Sequence, residues 1–271
     1  MEGSPHIRMS STIDTKDAML ISCFPSVGMV SSIVAHYLIE HLDLRFVGSI
    51  RDSRIPAVCL VQDGRPMPPI RIYAGEPVCK VDMCDKVLLV VSEFKVGGEL
   101  AFDLCDALLE WSDGAGISAT VLIDAFAKKG SQPPNSAEGE PIVEYEDTPE
   151  IDFVGVGAIQ DATEVIEKMD IPLLEQGLIG GMTGVLLGEG RRAKLNMLSI
   201  LVEADPRFPD ARAAAALIEK LDTLLPVVEL DTTPLVEEAE RIEEQIRSMM
   251  EHQLQLTEDA SEGSSNSMLY G

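Results

Sequence analysis

The sequence predicts an α/β fold: a three-layer sandwich around a mostly parallel, mixed sheet, followed by a C-terminal helix and a disordered tail. Three observations predict it. Short β-branched apolar runs alternate with longer stretches of helical periodicity, the pattern of a sheet clad by helices. Several of the runs, such as Val87-Leu-Leu-Val-Val91 and Thr120-Val-Leu-Ile-Asp-Ala-Phe126, have no polar face, as expected of strands buried between two helical layers. The 271 residues suffice for one large domain and an appendage.

Taken in order, residues 1–16 lack apolar density and are expected to be a flexible N-terminus. Residues 17–230 form the expected α/β domain. It opens with a strand over Met19–Phe24, and Pro25 and Ser26 then punctuate the chain. Ser26 suits a helix N-cap, and the helix follows over Val27–Leu42. Strands are expected at Phe46–Ile50 and Ala57–Gln62. The proline-rich segment Ala57–Glu76, with Arg65, Arg71 and Tyr73, suits a β-hairpin or an extended excursion from the sheet. A strand over Val87–Phe94, a helix over Gly97–Ser112 and a strand over Ser118–Ala125 come next. Lys128–Glu150 holds Pro133, Pro134, Pro141 and Pro149 and few large apolar residues, which predicts a long surface loop. The domain then continues with strand Phe153–Ile159, helices Asp161–Met169 and Gly177–Leu187, strand Met197–Ala204 and helix Asp210–Leu221.

Beyond the domain, residues 234–256 carry Leu235, Ala239, Ile242, Ile246, Met249, Gln253 and Leu256 at alternating spacings of four and three, an a/d seam of about three heptads. Such a helix either packs back on its own domain or joins protomers, with Leu235, Ile242, Ile246 and Met249 as the contacts. Residues 257–271 open with a Ser-, Glu-, Asp- and Asn-rich leash that cannot bury enough apolar surface to offset ordering, so disorder is expected. The segment closes on Leu269-Tyr270-Gly271. An apolar side chain, a phenol and a terminal carboxylate there form a compact plug for a partner pocket, with Gly271 allowing close approach of the carboxylate to a cation.

Charge narrows the partners. With 46 acidic against 21 basic residues the formal charge is −25, which repels phosphate backbones and anionic lipid and argues against nucleic-acid and membrane partners. No uninterrupted apolar stretch reaches the ~18 residues of a membrane span, and the N-terminus lacks a hydrophobic signal core, so a cytoplasmic protein is expected. Five cysteines, an odd number scattered through apolar runs, fit buried thiols in a reducing compartment.

Catalytic signatures fail to appear. His36 and His41 are separated by about 140° around their helix and cannot share a metal on one face. Cys79 and Cys84 have no second pair, so no metal is expected. The run Gly177-Leu-Ile-Gly-Gly-Met-Thr-Gly184 lacks the Lys-Ser/Thr of a nucleotide loop. It serves either close packing of a helix on the sheet, the favoured reading, or a small-ligand site. Asp82, Asp85, Glu93, Asp124 and Glu203 fall near expected strand ends, where α/β ligand sites occur, but spacing brings no two together. No catalytic residues and no cofactor are assigned, and no enzyme is expected.

The run Ile21-Ser-Cys-Phe-Pro-Ser-Val-Gly-Met-Val30 leading into Ser31–Leu42 resembles the opening of the proteasome-assembly-chaperone family. So do Ile55-Pro-Ala-Val58, the strand Val87–Glu93 and Gly177–Gly184 followed by Leu186-Leu187, in that order over residues 17–230. With the heptad helix and the hydrophobic-Tyr-X terminus, the chain is similar to archaeal homologues of these chaperones. The resemblance implies a phosphorylase/hydrolase-like sandwich without an active site, a homo-oligomer (here a tetramer or pentamer), and action without ATP. It implies that Leu269, Tyr270 and Gly271 insert between α-subunits of the 20S proteasome, the carboxylate pairing with a pocket lysine. A nucleoside-like small-molecule binding protein or enzyme on the same fold is the alternative.

Overall fold

A computed structural model describes residues 4–11, 13–62, 64–75, 86–127, 151–225 and 231–237. The chain divides into two units, Met1–Leu230 and Asp231–Gly271. In chain order the first unit holds β1 (His6–Met9), β2 (Met19–Cys23), α1 (Val30–His41), β3 (Arg45–Arg51), β4 (Leu60–Gln62), β5 (Arg65–Met67), β6 (Ile70–Gly75), β7 (Val87–Ser92), α2 (Glu99–Ala115), β8 (Ala119–Ala127), β9 (Phe153–Gly157), α3 (Gln160–Lys168), α4 (Gly181–Ala193), β10 (Met197–Ala204) and α5 (Ala211–Asp222).

Eight strands share one sheet in the order β1-β3-β6-β7-β2-β8-β10-β9. The four central strands, β7, β2, β8 and β10, are parallel neighbours. β3 is antiparallel to β6 and β6 to β7, so β3 runs with the central four, and five of the eight strands share a direction. β7 is buried along its whole length, as an unbroken apolar run requires. Alternation along the strands divides the core into two layers. Leu20, Leu88, Val90 and Leu122 meet Leu100, Leu104, Leu108, Met182 and Leu186 of α2 and α4. The intervening Ile21, Leu89, Val91, Val121 and Ile123 are buried on the other face, where α1 and α5 pack together over the central strands. Each such side chain stabilises the fold by about 1.5–3 kcal/mol relative to exposure.

Four expectations need correction. Residues 1–16 are not a flexible lead as a whole, because β1 pairs antiparallel with β3 from His6↔Arg51 to Met9↔Gly48. The polar His-Ile-Arg-Met run hid an edge strand whose contribution is mostly ladder hydrogen bonds. Its approach depends on Gly48, where an added Cβ would lie 2.8 Å from Arg8 O. Second, the excursion from the sheet is only the β4–β5 hairpin, whereas β6 is an interior strand between β3 and β7. The prolines ahead of Ile70 and the charge of Arg71 masked it. Third, the expected helix Gly177–Leu187 begins at Gly181 and runs to Ala193. Cys59 is exposed, against the expectation of buried thiols, while Cys23 and Cys105 are buried.

In the second unit, residues 233–237 are helical and the amide of Thr233 is capped by Asp231 Oδ1 at 3.0 Å. Leu235 is half-buried there. The rest of the heptad seam, including Ile242, Ile246 and Met249, lies outside the described residues, as does the loop 128–150.

Candidate functional site

Because β7, β2, β8 and β10 are parallel, their carboxyl ends and the turns that follow share one edge of the sheet, where α/β folds place ligand sites. After β2 the chain makes a tight turn with Gly28 at φ 58° and Met29 at φ 53°, two successive left-handed residues. A Cβ on Gly28 would sit 2.9 Å from Asp205 O and 3.0 Å from Asp210 Cβ, so only glycine fits. Gly28 O accepts from Asp210 N at 2.8 Å, and the Asp210 carboxylate accepts from Asp205 N and Ala213 N, both at 2.9 Å. The turns after β2 and β10 are thereby locked together. Ser26 is, as expected, the N-cap of the helical start, here a 3-10 turn over Val27–Met29 that leads into α1, and its Oγ accepts from Ser31 N at 3.0 Å.

At the end of β7, Glu93 meets the guanidinium of Arg71, which is fully buried. Arg71 also donates to Tyr73 Oη at 3.0 Å and Pro68 O at 3.1 Å. His36 Nε2 approaches Glu93 Oε1 to 3.9 Å from α1. His41 instead stacks on Tyr37, with ring centroids 3.8 Å apart, so the two histidines serve different partners. On β8, burial pushes the Asp124 carboxyl above the usual carboxylate range, against hydrogen bonds from Thr183 and from Ala125 N that pull it down. Burial likewise raises both core thiols, Cys105 to about 12, which keeps them protonated and unreactive. Among the described residues no group of three or more His, Cys, Asp or Glu is placed to hold a metal ion.

The glycine-rich stretch permits close approach, at Gly184 to the loop that leads into α4 rather than to the sheet. Gly184 packs so closely that a Cβ would lie 2.1 Å from Ile179 O. The same stretch lines a cavity of about 380 Å³ between β9, residues 174–179 and α4, whose walls include Gly157, Leu174, Glu175, Ile179, Leu187 and Arg191. Sequence reasoning missed β9's part in this groove, and also Arg191, which lies beyond the expected end of its helix. Arg191 Nη1 donates to Ala158 O at 3.3 Å.

Of the carboxylates expected near strand ends, Glu93 and Asp124 go to separate partners, Arg71 and Thr183. Glu203 lies near the end of β10, and Asp82 and Asp85 fall outside the described residues. Leu269, Tyr270 and Gly271, the expected partner contacts, also lie outside them.

The profile of the PAC2 family matches residues 20–250. Among solved structures, PbaA of Pyrococcus furiosus, an archaeal homolog of proteasome-assembly chaperone, superposes with a TM-score of 0.75 at 26% identity, covering 97% of this chain and 99% of PbaA. PbaB of the same organism, an archaeal proteasome activator, superposes at 0.74 with 19% identity, covering 91% of this chain and 99% of PbaB, and at that identity the likeness is one of fold. An uncharacterized protein of Methanocaldococcus jannaschii is 24% identical over 250 residues, 90% of each chain.

Proposed function

The chain belongs to the PAC2 family, and from that membership we propose that it is an ATP-independent, non-enzymatic proteasome-assembly chaperone or adaptor of the cytoplasm. The observation that carries the reading is the match to PbaA over nearly the whole of both chains. The hydrophobic-Tyr-X motif supplies the contact. Leu269 fills an apolar pocket between neighbouring 20S α-subunits, Tyr270 adds rigid area and a hydroxyl, and the Gly271 carboxylate pairs with a lysine. A flexible coil as long as the eleven residues Thr257–Ser267 would give these three a reach of about 17–20 Å.

Assembly multiplies the contact. In a homotetramer or homopentamer joined along Leu235, Ile242, Ile246 and Met249, several tails engage one ring of α-subunits. Avidity then exceeds single-tail affinity by about 10²–10⁴-fold where geometry allows. The deciding experiment is capture of 20S α-subunits by the full chain and by a form lacking residues 269–271. Capture should fall at least tenfold on deletion. Equal capture by both forms removes the motif from the mechanism.

A further inference from the structure

A ladder of hydrogen bonds breaks off at the groove beside β9. Ala158 N donates to Met197 O and Glu203 N to Asp152 O, both at 2.8 Å, so even-numbered residues of this edge strand bond inward to β10. Odd-numbered residues face the outer edge. There Gly155 N donates to Pro172 O at 2.8 Å and accepts at its carbonyl from Leu174 N at 3.0 Å, a parallel bridge between Gly155 and Leu173. The chain then turns away. Gly157, the next odd residue, lines the groove, and among the described residues no backbone group pairs with its outward N–H and C=O.

The rest of the groove complements what such an edge would take. Leu174, Ile179 and Leu187 make apolar walls, and Leu178, between two lining residues, is 97% exposed. A segment continuing the parallel bridge runs from Gly155 toward Ala158, where Arg191 sits with one donor on Ala158 O and others left for a carboxylate. Arg191, Arg192 and Lys194 also form a basic stretch in a chain of net charge −25. Glu175, two residues past Leu173 in the parallel direction, lines the same groove. An anionic terminus is favoured at Arg191, the one cation among the described lining residues. The cavity of about 380 Å³ holds a short segment of two or three residues.

The geometry points to a docking groove for the extended C-terminal segment of a partner polypeptide, added in parallel beside Gly157 with an apolar side chain against Leu187 and its carboxylate on Arg191. It does not rest on the reading of residues 269–271, and either can fail alone.

Fluorescence anisotropy on the full chain tests it, with fluorescein-labelled hexapeptide pools of mixed inner positions and a fixed C-terminal leucine, made as free acid and as amide. The acid pool should bind saturably and the amide at least tenfold more weakly. Arg191→Gln, at an exposed position, should bring the acid down to the level of the amide. Gly188 of α4 also lines the groove, and Gly188→Leu should abolish binding of both without lowering Tm, since a Cβ there meets nothing within 4 Å and leucine favours helix over glycine. No saturation by the acid pool, equal binding of acid and amide, or undiminished binding by Gly188→Leu would overturn the proposal. So would a saturable response to nucleosides, lost in Gly188→Leu, without peptide binding.

Discussion

Two residues set the terms of stability at the strand ends. Asp124 is raised by burial, so its folded pKa lies above the unfolded 3.8. Its contribution is fully present below 3.8 and is lost as pH rises through the folded value. Asp124→Asn should therefore raise Tm at pH 7 and leave it unchanged near pH 3.5, in thermal unfolding followed by circular dichroism. A Tm difference independent of pH would show that packing, not ionisation, governs the site. Arg71 poses the opposite case, a fully buried cation that relies on Glu93. Glu93→Ala should cost about 3–5 kcal/mol in urea unfolding, because the guanidinium stays buried without its carboxylate, whereas Arg71→Met with Glu93→Leu should come close to neutral. Neither arrangement was legible in the sequence. Arg71 and Glu93 are separated by the whole course of β6 and β7, and a charged residue inside a strand argues against that strand until its partner is known.

At the scale of elements, periodicity located what burial dictates. The strands at Met19–Cys23 and Val87–Ser92 and the helix at Val30–His41 were all visible, because each carries an apolar face or core of its own. β1 and β6 were not. β1 is held mainly by backbone hydrogen bonds at a sheet edge, which leave no compositional trace, and β6 carries the buried Arg71. The groove was half legible, since the glycines announced close approach but the unpaired edge of Gly157 depends on register, which sequence spacing does not encode. The heptad seam is the element whose reading awaits experiment. Ile242→Asp with Ile246→Asp should dissociate the proposed oligomer by burying unpaired charge, read as a fall in mass by light scattering. An unchanged mass would place the joining surface on the globular unit.

For the whole molecule, alternation and length made the α/β sandwich legible, and the order of small and apolar motifs carried the family. Strand order was not legible, because pairing between distant runs leaves no local signal. That order has a consequence for how the chain is made. β2 lies between β7 and β8, pairing Met19 with Val87 on one side and with Ala119 on the other. At synthesis rates of about 5–20 residues per second, roughly 5–20 s pass between emergence of β2 and of the second strand that flanks it. Until β7 emerges this apolar strand has two bare edges, and until β8 emerges it has one, a state open to mispairing with another chain. A protein proposed to assist the assembly of others thus carries, at the centre of its own sheet, a strand that waits for a neighbour on each side while it is made.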